Sequence, residues 1–521
     1  MVYIYNLFAY NLLFEDLSLL FSNTFPMNST LVFSVLVAYF GILILISYYT
    51  SRNASTASFF NGNRQSPWFL VAFGMIGASL SGVTFISVPG NVAKTQFSYF
   101  QLVMGYMVGY FVIATILMPL YYRLNLISIY TYLKERFGFW TYKTGAGFFL
   151  LSRTIGTAFR LFLAVIALQI GLFDAWGFPF WLTTAVSIAL IWVYTFRGGI
   201  KTIVWTDTFQ TTFLLLALLS SIYLIKTELN LGFLEISSTI SNSKFGQVFF
   251  WDDWRGVDFF PKQFLSGMFI AIAMTGLDQD MMQKNLTCKS LPEAQKNMFW
   301  FSLTLLVVNW IFLSLGALLY IYAEQKGITL PKASDNVYPQ LAFNNFGIVA
   351  GIAFLLGITA ATYASSDSAL TSLTTSFSID FLDVSDKNEE DSKKTIRWVH
   401  LGFSVLLLII IVIFKIARDA FPDTNVITLL FKVTGYTYGP LLGLYAFGLA
   451  TKRRVNDKLV PFLCLFCVLL SWGIDFYSGE IIKDFKFGST ILIVNGLLNF
   501  GGLFLISENT ELKETLEKFR K

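Results

Sequence analysis

The segment Ala361-Thr362-Tyr363-Ala364-Ser365-Ser366-Asp367-Ser368 sets hydroxyl, phenol and carboxylate groups inside an apolar run from about Phe346 to Leu382. Such groups are costly at bilayer depth and mark ion or solute paths. Oxygen donors with one carboxylate suit a hard, small cation such as Na+ better than a soft metal. Positions 361, 364, 365 and 368 share one helical face by their three-and-four spacing. Asp207, in Trp205-Thr206-Asp207, reads either as a carboxylate placed near a helix N-terminus by the dipole or as a second cation ligand. Arg153 and Arg160 are seven apart and share a face. They either pair with Asp207 or Asp367, or grip a solute carboxylate through a bidentate fork. Lys432 reads more simply as a structural ion-pair partner.

The elements that position these residues must be membrane helices. Of 521 residues, 55% are hydrophobic and only 13% charged. No polar block is long enough for a soluble domain. About twenty apolar residues span a bilayer. Thirteen such stretches are expected near 29–50, 67–90, 98–122, 144–171, 178–196, 203–226, 263–283, 298–323, 346–382, 396–417, 425–449, 459–477 and 488–507. Lys and Arg concentrate in alternate loops, among them Lys134, Arg136, Lys284, Lys289, Lys393 and Lys394. That bias puts the N-terminus outside and the C-terminus in the cytoplasm.

Two stretches look interrupted. The second carries Gly74, Gly77, Ser79, Ser81 and Gly82 before Pro89-Gly90, and the seventh carries Gly267 and Gly276 before Asp278-Gln279-Asp280. Glycines also serve close helix packing. Interruptions five spans apart point instead to an inverted-repeat transporter with its site near the midplane. The expected class is thus an all-α polytopic membrane protein with a five-plus-five core. Its parts are an N-terminal segment 1–28, interfacial or upstream of a start at Met27; a peripheral helix 29–50; repeats 67–226 and 263–449; two peripheral helices within 459–507; and a cytoplasmic tail 508–521.

Other chemistries have little to work with. Three cysteines make no disulfide framework, and Cys464-x-x-Cys467 lies in an apolar run as helix packing. His400 is the single histidine and reads as solvated or interfacial. No nucleophile–base pair, metal-ligand cluster or phosphate loop argues for an enzyme.

With these residues on the page, the chain resembles the sodium:solute symporter family of sodium/glucose, sodium/proline and sodium/sialic acid cotransporters. Gly198-Gly199-Ile200-Lys201-Thr202-Ile203-Val204-Trp205-Thr206-Asp207 resembles the family's GG-x-x-A-V-x-x-T-D run. Gln283-Lys284-Asn285-Leu286 with Lys289-Ser290 and Glu293-Ala294 resembles its Q-R-x-L…K-S…E-A stretch. Ser365 to Leu370 with Ile379-Asp380, and Gly439-Pro440-Leu441-Leu442-Gly443-Leu444, resemble its eighth- and tenth-core-helix signatures.

The resemblance implies a LeuT-like fold and a main sodium site of carbonyls at Gly77, Leu80 and Ala361 with hydroxyls at 364 and 365. Here only Ser365 keeps the hydroxyl, because 364 is Ala364. It further implies a second sodium site at Thr84, Asp207, Asp367 and Ser368, and solute contacts at Ser81, Thr84, Gln101 and Arg160, the last holding a carboxylate. The expected function is Na+-coupled import of a small organic solute by alternating access, with a carboxylate such as sialic acid first. The alternatives are a neutral or zwitterionic solute (sugar, proline, polyol), proton coupling through Asp207 and Asp367, and a non-transporting solute sensor. The expected partners are Na+, the solute and the bilayer, with no nucleic acid. Short loops without an organelle signal suggest a bacterial inner membrane.

Overall fold

The computed structural model describes residues 29–508 apart from 53–54, 197, 385–386 and 421–425. The expected N-terminal segment 1–28 and the tail beyond residue 508 lie outside the described residues. The described residues are helical apart from connections, the longest covering 242–259, and a two-residue ladder, Arg454–Val455 against Ser507–Glu508. Nine helices among the described residues are long and apolar enough to cross a membrane, and a bent pair adds a tenth. The stretches expected from the sequence overlap helices among the described residues, of which these nine or ten, rather than thirteen, meet the length and composition of a span.

The helices that build the centre are α1, Trp68–Ser79; α2, Gly82–Thr95; α3, Ser98–Arg123; α4, Phe139–Leu168; α5, Gly199–Glu228; α6, Phe260–Ala271; α7, Gln279–Asn285; α8, Leu291–Lys326; α9, Gly347–Asp380; and α10, Val426–Ala450. The pair α1 and α2 is the second expected span, bent by 57°. Leu80 and Ser81 leave helical geometry between them, with ψ of 61° and 174°. The last carbonyls of α1 therefore lack an intrahelical donor and carry the negative end of its dipole. Glycine at position 82 is required by space. A Cβ there would sit 2.1 Å from the Thr362 hydroxyl of α9.

The seventh span breaks in the corresponding way. A π-helical turn at Ile272–Gly276 follows α6, and Asp278 then caps α7 by accepting the amides of Asp280 and Met281 at 2.9 and 3.3 Å. Phenols of Tyr121 and Tyr130 take up the freed carbonyls of Gly276 and Leu277 at 2.8 and 3.0 Å. Irregular backbone at membrane depth is tolerated where protein groups satisfy it in this manner.

Helices α5 and α9 lie along one another, and α3 crosses α6 at two glycines. A Cβ on Gly105 would meet the Phe264 carbonyl at 2.0 Å, and one on Gly267 the Leu102 carbonyl at 1.9 Å. Small residues let backbones approach where lipid offers no hydrophobic drive. The outer faces expose large apolar side chains, including Trp181, Trp300, Trp398, Phe462 and Trp472, as lipid contact requires.

His400 corrects the sequence expectation. It is fully buried, with its ring nitrogens against the hydroxyls of Thr195 and Thr374 at 3.0 and 3.1 Å. Its helix, Glu389–Ala420, begins well before the expected span at 396, so His400 lies inside the packed bundle. Lys432 is the structural partner the sequence suggested, paired with Asp475 at 3.0 Å.

Candidate functional site

Both helix breaks open onto one central cavity of about 80 Å³. Ser79, Leu80, Ser81 and Thr84 come to it from the first break, and Ile270, Met274, Thr275 and Met281 from the second. Arg153 and Arg160 reach it from α4, and Tyr99, Tyr106 and Tyr110 form a stripe on α3. A larger outer cavity of about 650 Å³ lies beyond, between the far end of α2, the start of α10 and the 475–489 segment. Tyr99 lines both and so stands between them. On the rim of the outer cavity, burial raises the Asp258 carboxyl above its ordinary value, opposed by the Ser98 hydroxyl, which donates to it at 2.7 Å.

The two arginines have different surroundings. Arg153 is buried and forms ion pairs with Asp280 and, at 3.8 Å, Asp278. Those partners are neither Asp207 nor Asp367, the carboxylates expected from the sequence. Asp278 also accepts the Tyr438 hydroxyl of α10, and Asp280 that of Ser368 of α9. One carboxylate cluster thus joins α7, α9 and α10 to α4. Arg160 makes no ion pair among the described residues, and its Nε is buried without a hydrogen-bond partner. A guanidinium fork carries five N–H donors and can pair with a carboxylate bidentately.

The candidate cation ligands fall into separate groups. Gly77 packs on α5, its amide donating to the Thr211 hydroxyl at 3.1 Å, while Leu80 ends α1. Ala361, Ala364 and Ser365 are buried on α9, which packs on both α1 and α2. The Ser365 hydroxyl donates to the Thr362 carbonyl at 2.9 Å, leaving its lone pairs available. The Thr362 hydroxyl is buried at the break without a partner.

Of the set Thr84, Asp207, Asp367 and Ser368, Asp367 and Ser368 are neighbours on α9, and Asp207 is on α5, which packs along α9. Asp207 lies beside Gly74 of α1, whereas Thr84 lies past the break and faces the cavity with Ser81. Lys284 of α7 pairs with Asp207 at 2.6 Å, each side chain 1% exposed. Asp367 accepts the Tyr194 hydroxyl at 2.9 Å and the Ser368 amide at 2.5 Å. Gln101 also departs from its expected role. Its amide nitrogen donates to the Asp258 carbonyl at 2.8 Å, and its oxygen accepts the Phe250 amide at 3.1 Å. It holds the outer loop and does not line the central cavity.

Sequence reasoning missed Lys284, which it placed in a cytoplasmic loop, and the tyrosine stripe. The spacing of Tyr99, Tyr106 and Tyr110 on one apolar helix was the available signal. For Lys284 the signal was a lysine four residues after Asp280, one helical turn on, at the end of the seventh apolar stretch.

Residues 59–458 match the model of the sodium:solute symporter family, and the chain belongs to that family. It is 25% identical over 441 residues to the sodium/sialic acid symporter SiaT of Proteus mirabilis, covering 81% of this chain and 85% of that one. It is 23% identical over 516 residues to the sodium/sialic acid symporter NanT of Aliivibrio fischeri, covering 94% and 97%. It is 26% identical over 424 residues to the mouse sodium-coupled monocarboxylate transporter 1, covering 78% and 65%. The fold matches that of a Na+-coupled sialic acid symporter solved substrate-bound and outward-open, with a TM-score of 0.78 at 18% identity over 92% and 98% of the two chains. It matches the nucleobase-cation-symport-1 transporter Mhp1 with a TM-score of 0.53 at 16% identity over 87% and 95%. The protein is therefore an integral membrane, Na+-coupled symporter of small solutes with a LeuT-like fold, and not an enzyme.

Proposed function

We propose that this symporter imports a carboxylate-bearing solute, anchored by Arg160, across a bacterial inner membrane with its N-terminus outside. The observation that carries the proposal is Arg160 itself: a cavity-facing guanidinium with a buried, unpartnered Nε and no ion pair among the described residues. Its neighbour Arg153 has its own carboxylates, so a structural explanation for one arginine does not extend to the other. Ser81 and Thr84 supply hydroxyls on the facing wall.

Sialic acid is the first solute to test, because two similar proteins carry it in their names. The cavity of about 80 Å³ favours a second reading, a smaller monocarboxylate, unless the walls separate to admit a bulky sugar acid. Both readings need the same anchor.

The main Na+ site would use the carbonyls of Gly77, Leu80 and Ala361 and the hydroxyl of Ser365, with Ala364 contributing none. Sodium held there would tie α9 to the break between α1 and α2 and so complete the wall bearing Ser81 and Thr84. Its binding energy difference between outward and inward states would shift their populations. Repeats of 67–226 and 263–449 would move against each other around this point. Uptake of labelled N-acetylneuraminate and lactate by Arg160→Ala in proteoliposomes tests the proposal. Loss of both supports it, and uptake like that of the unmodified protein excludes Arg160 as the anchor.

A further inference from the structure

We infer that the solute carries, beside its carboxylate, a hydroxyl or N–H group that donates a hydrogen bond to the side-chain oxygen of Asn309. The inference rests on the carboxylate reading above and narrows it to hydroxy or acylamino acids.

Asn309 is the single amide side chain in the apolar stretch 298–323. Polar groups at that depth are costly and mark solute or ion paths. It lies on α8, lines the central cavity and is 1% exposed. Its Nδ2 donates to the Leu305 carbonyl, one turn back, at 2.8 Å. A carbonyl only accepts, so this bond settles which end of the amide is which. The oxygen is left as a fixed acceptor, buried without a hydrogen-bond partner.

Arg153 has its charge met by Asp278 and Asp280. Among the other described residues that line the cavity, two side chains hold a buried polar atom without a partner, Arg160 at Nε and Asn309 at Oδ1. One is a donor and the other an acceptor. They come from α4 and α8, two helices that both pack on α2. A plain alkanoate would meet the guanidinium and leave the amide oxygen unsatisfied. A hydroxy or acylamino acid meets both. A site built to hydrogen-bond a solute group rejects the analogue that lacks it, because its own buried group is then unpaired. A cation is the competing occupant at the amide oxygen. Two guanidinium groups face the same small cavity, so a further positive charge there is repelled.

Binding of radiolabelled acids in matched pairs to the purified full chain in detergent with saturating Na+ tests this. The pairs are lactate against propionate and β-hydroxybutyrate against butyrate, with N-acetylneuraminate alongside. At least one hydroxy acid should bind roughly tenfold tighter, or more, than its unsubstituted partner. Asn309→Leu, similar in size but without the acceptor, should weaken that hydroxy acid and so bring its pair together. If N-acetylneuraminate alone binds, Asn309→Leu should weaken it by a similar factor. Equal binding within both pairs by the unmodified protein, or an Asn309→Leu variant that weakens all the acids alike or none, would overturn the inference. Arg160→Ala should lose every acid. Binding unchanged in Arg160→Ala, or no binding of any acid by the unmodified protein, would overturn the carboxylate reading and the inference with it. Should Asn309→Leu fail to fold, the two pairs on the unmodified protein still decide.

Discussion

At the scale of single residues, the centre is defined by which charges have partners. Arg153, Lys284 and Lys432 all have carboxylates within ion-pair distance, and Arg160 has none among the described residues. Removing one partner of a buried, hydrogen-bonded charge pair costs about 2–5 kcal/mol. Arg160→Ala should therefore lower kcat/KM for a carboxylate solute on the order of 100-fold, with ²²Na+ binding retained. Steady-state uptake alongside the binding assay checks both parts. Ser365→Ala removes the one hydroxyl left in the proposed main Na+ site. A ligand-to-charge contact is worth about 1.5–3 kcal/mol, so half-maximal uptake should need roughly tenfold more Na+ or greater. An unchanged Na+ titration would remove Ser365 from the site.

Side-chain types were informative where a polar group stood in an apolar run. Arg160 was singled out that way, Ser81 and Thr84 by the family resemblance, and all three line the cavity. What the sequence could not convey was pairing across long separations. Arg153 finds Asp280 and Lys284 finds Asp207 only because broken helices bring distant segments together. Gln101 and His400 show the same gap. One is turned to an outer loop and the other is enclosed by two threonines, and neither fate follows from local spacing.

At the scale of elements, the two breaks were legible because glycine, serine and proline interrupt hydrophobic periodicity, and the structure bends at the first of them by 57°. Which glycines merely pack was not legible, since that depends on the facing helix. Gly267 is one of these, closed in by the Leu102 carbonyl. Backbone cannot yield as a side-chain tip does, so Gly267→Ala should destabilise the protein by about 1–3 kcal/mol. Gly147→Ala on α4, with nothing within 4 Å of its added Cβ, should be neutral or slightly stabilising. Thermal unfolding of the two purified variants in one detergent makes the comparison. Equal melting temperatures would contradict the tight α3–α6 crossing.

At the scale of the whole molecule, charge movement separates the possible stoichiometries. One Na+ with a monoanion carries no net charge, so a 100 mV potential should hardly change accumulation. Two Na+ with the same solute would move one charge, about 2.3 kcal/mol per 100 mV, or roughly fifty-fold in accumulation. Imposing an inside-negative potassium diffusion potential on loaded proteoliposomes reads this directly. Near-constant accumulation reports one Na+ per monoanion, and a fifty-fold rise reports two.

The most direct test of the central claim is uptake of labelled N-acetylneuraminate and of labelled lactate into proteoliposomes, under an inward Na+ gradient and under an equal K+ gradient. Concentrative uptake of at least one of them with Na+ only, competed by other carboxylates and not by neutral sugars, is the expected result. Equal uptake under K+, or Na+-driven uptake competed by a neutral sugar, would contradict a Na+-coupled carboxylate symporter anchored on Arg160.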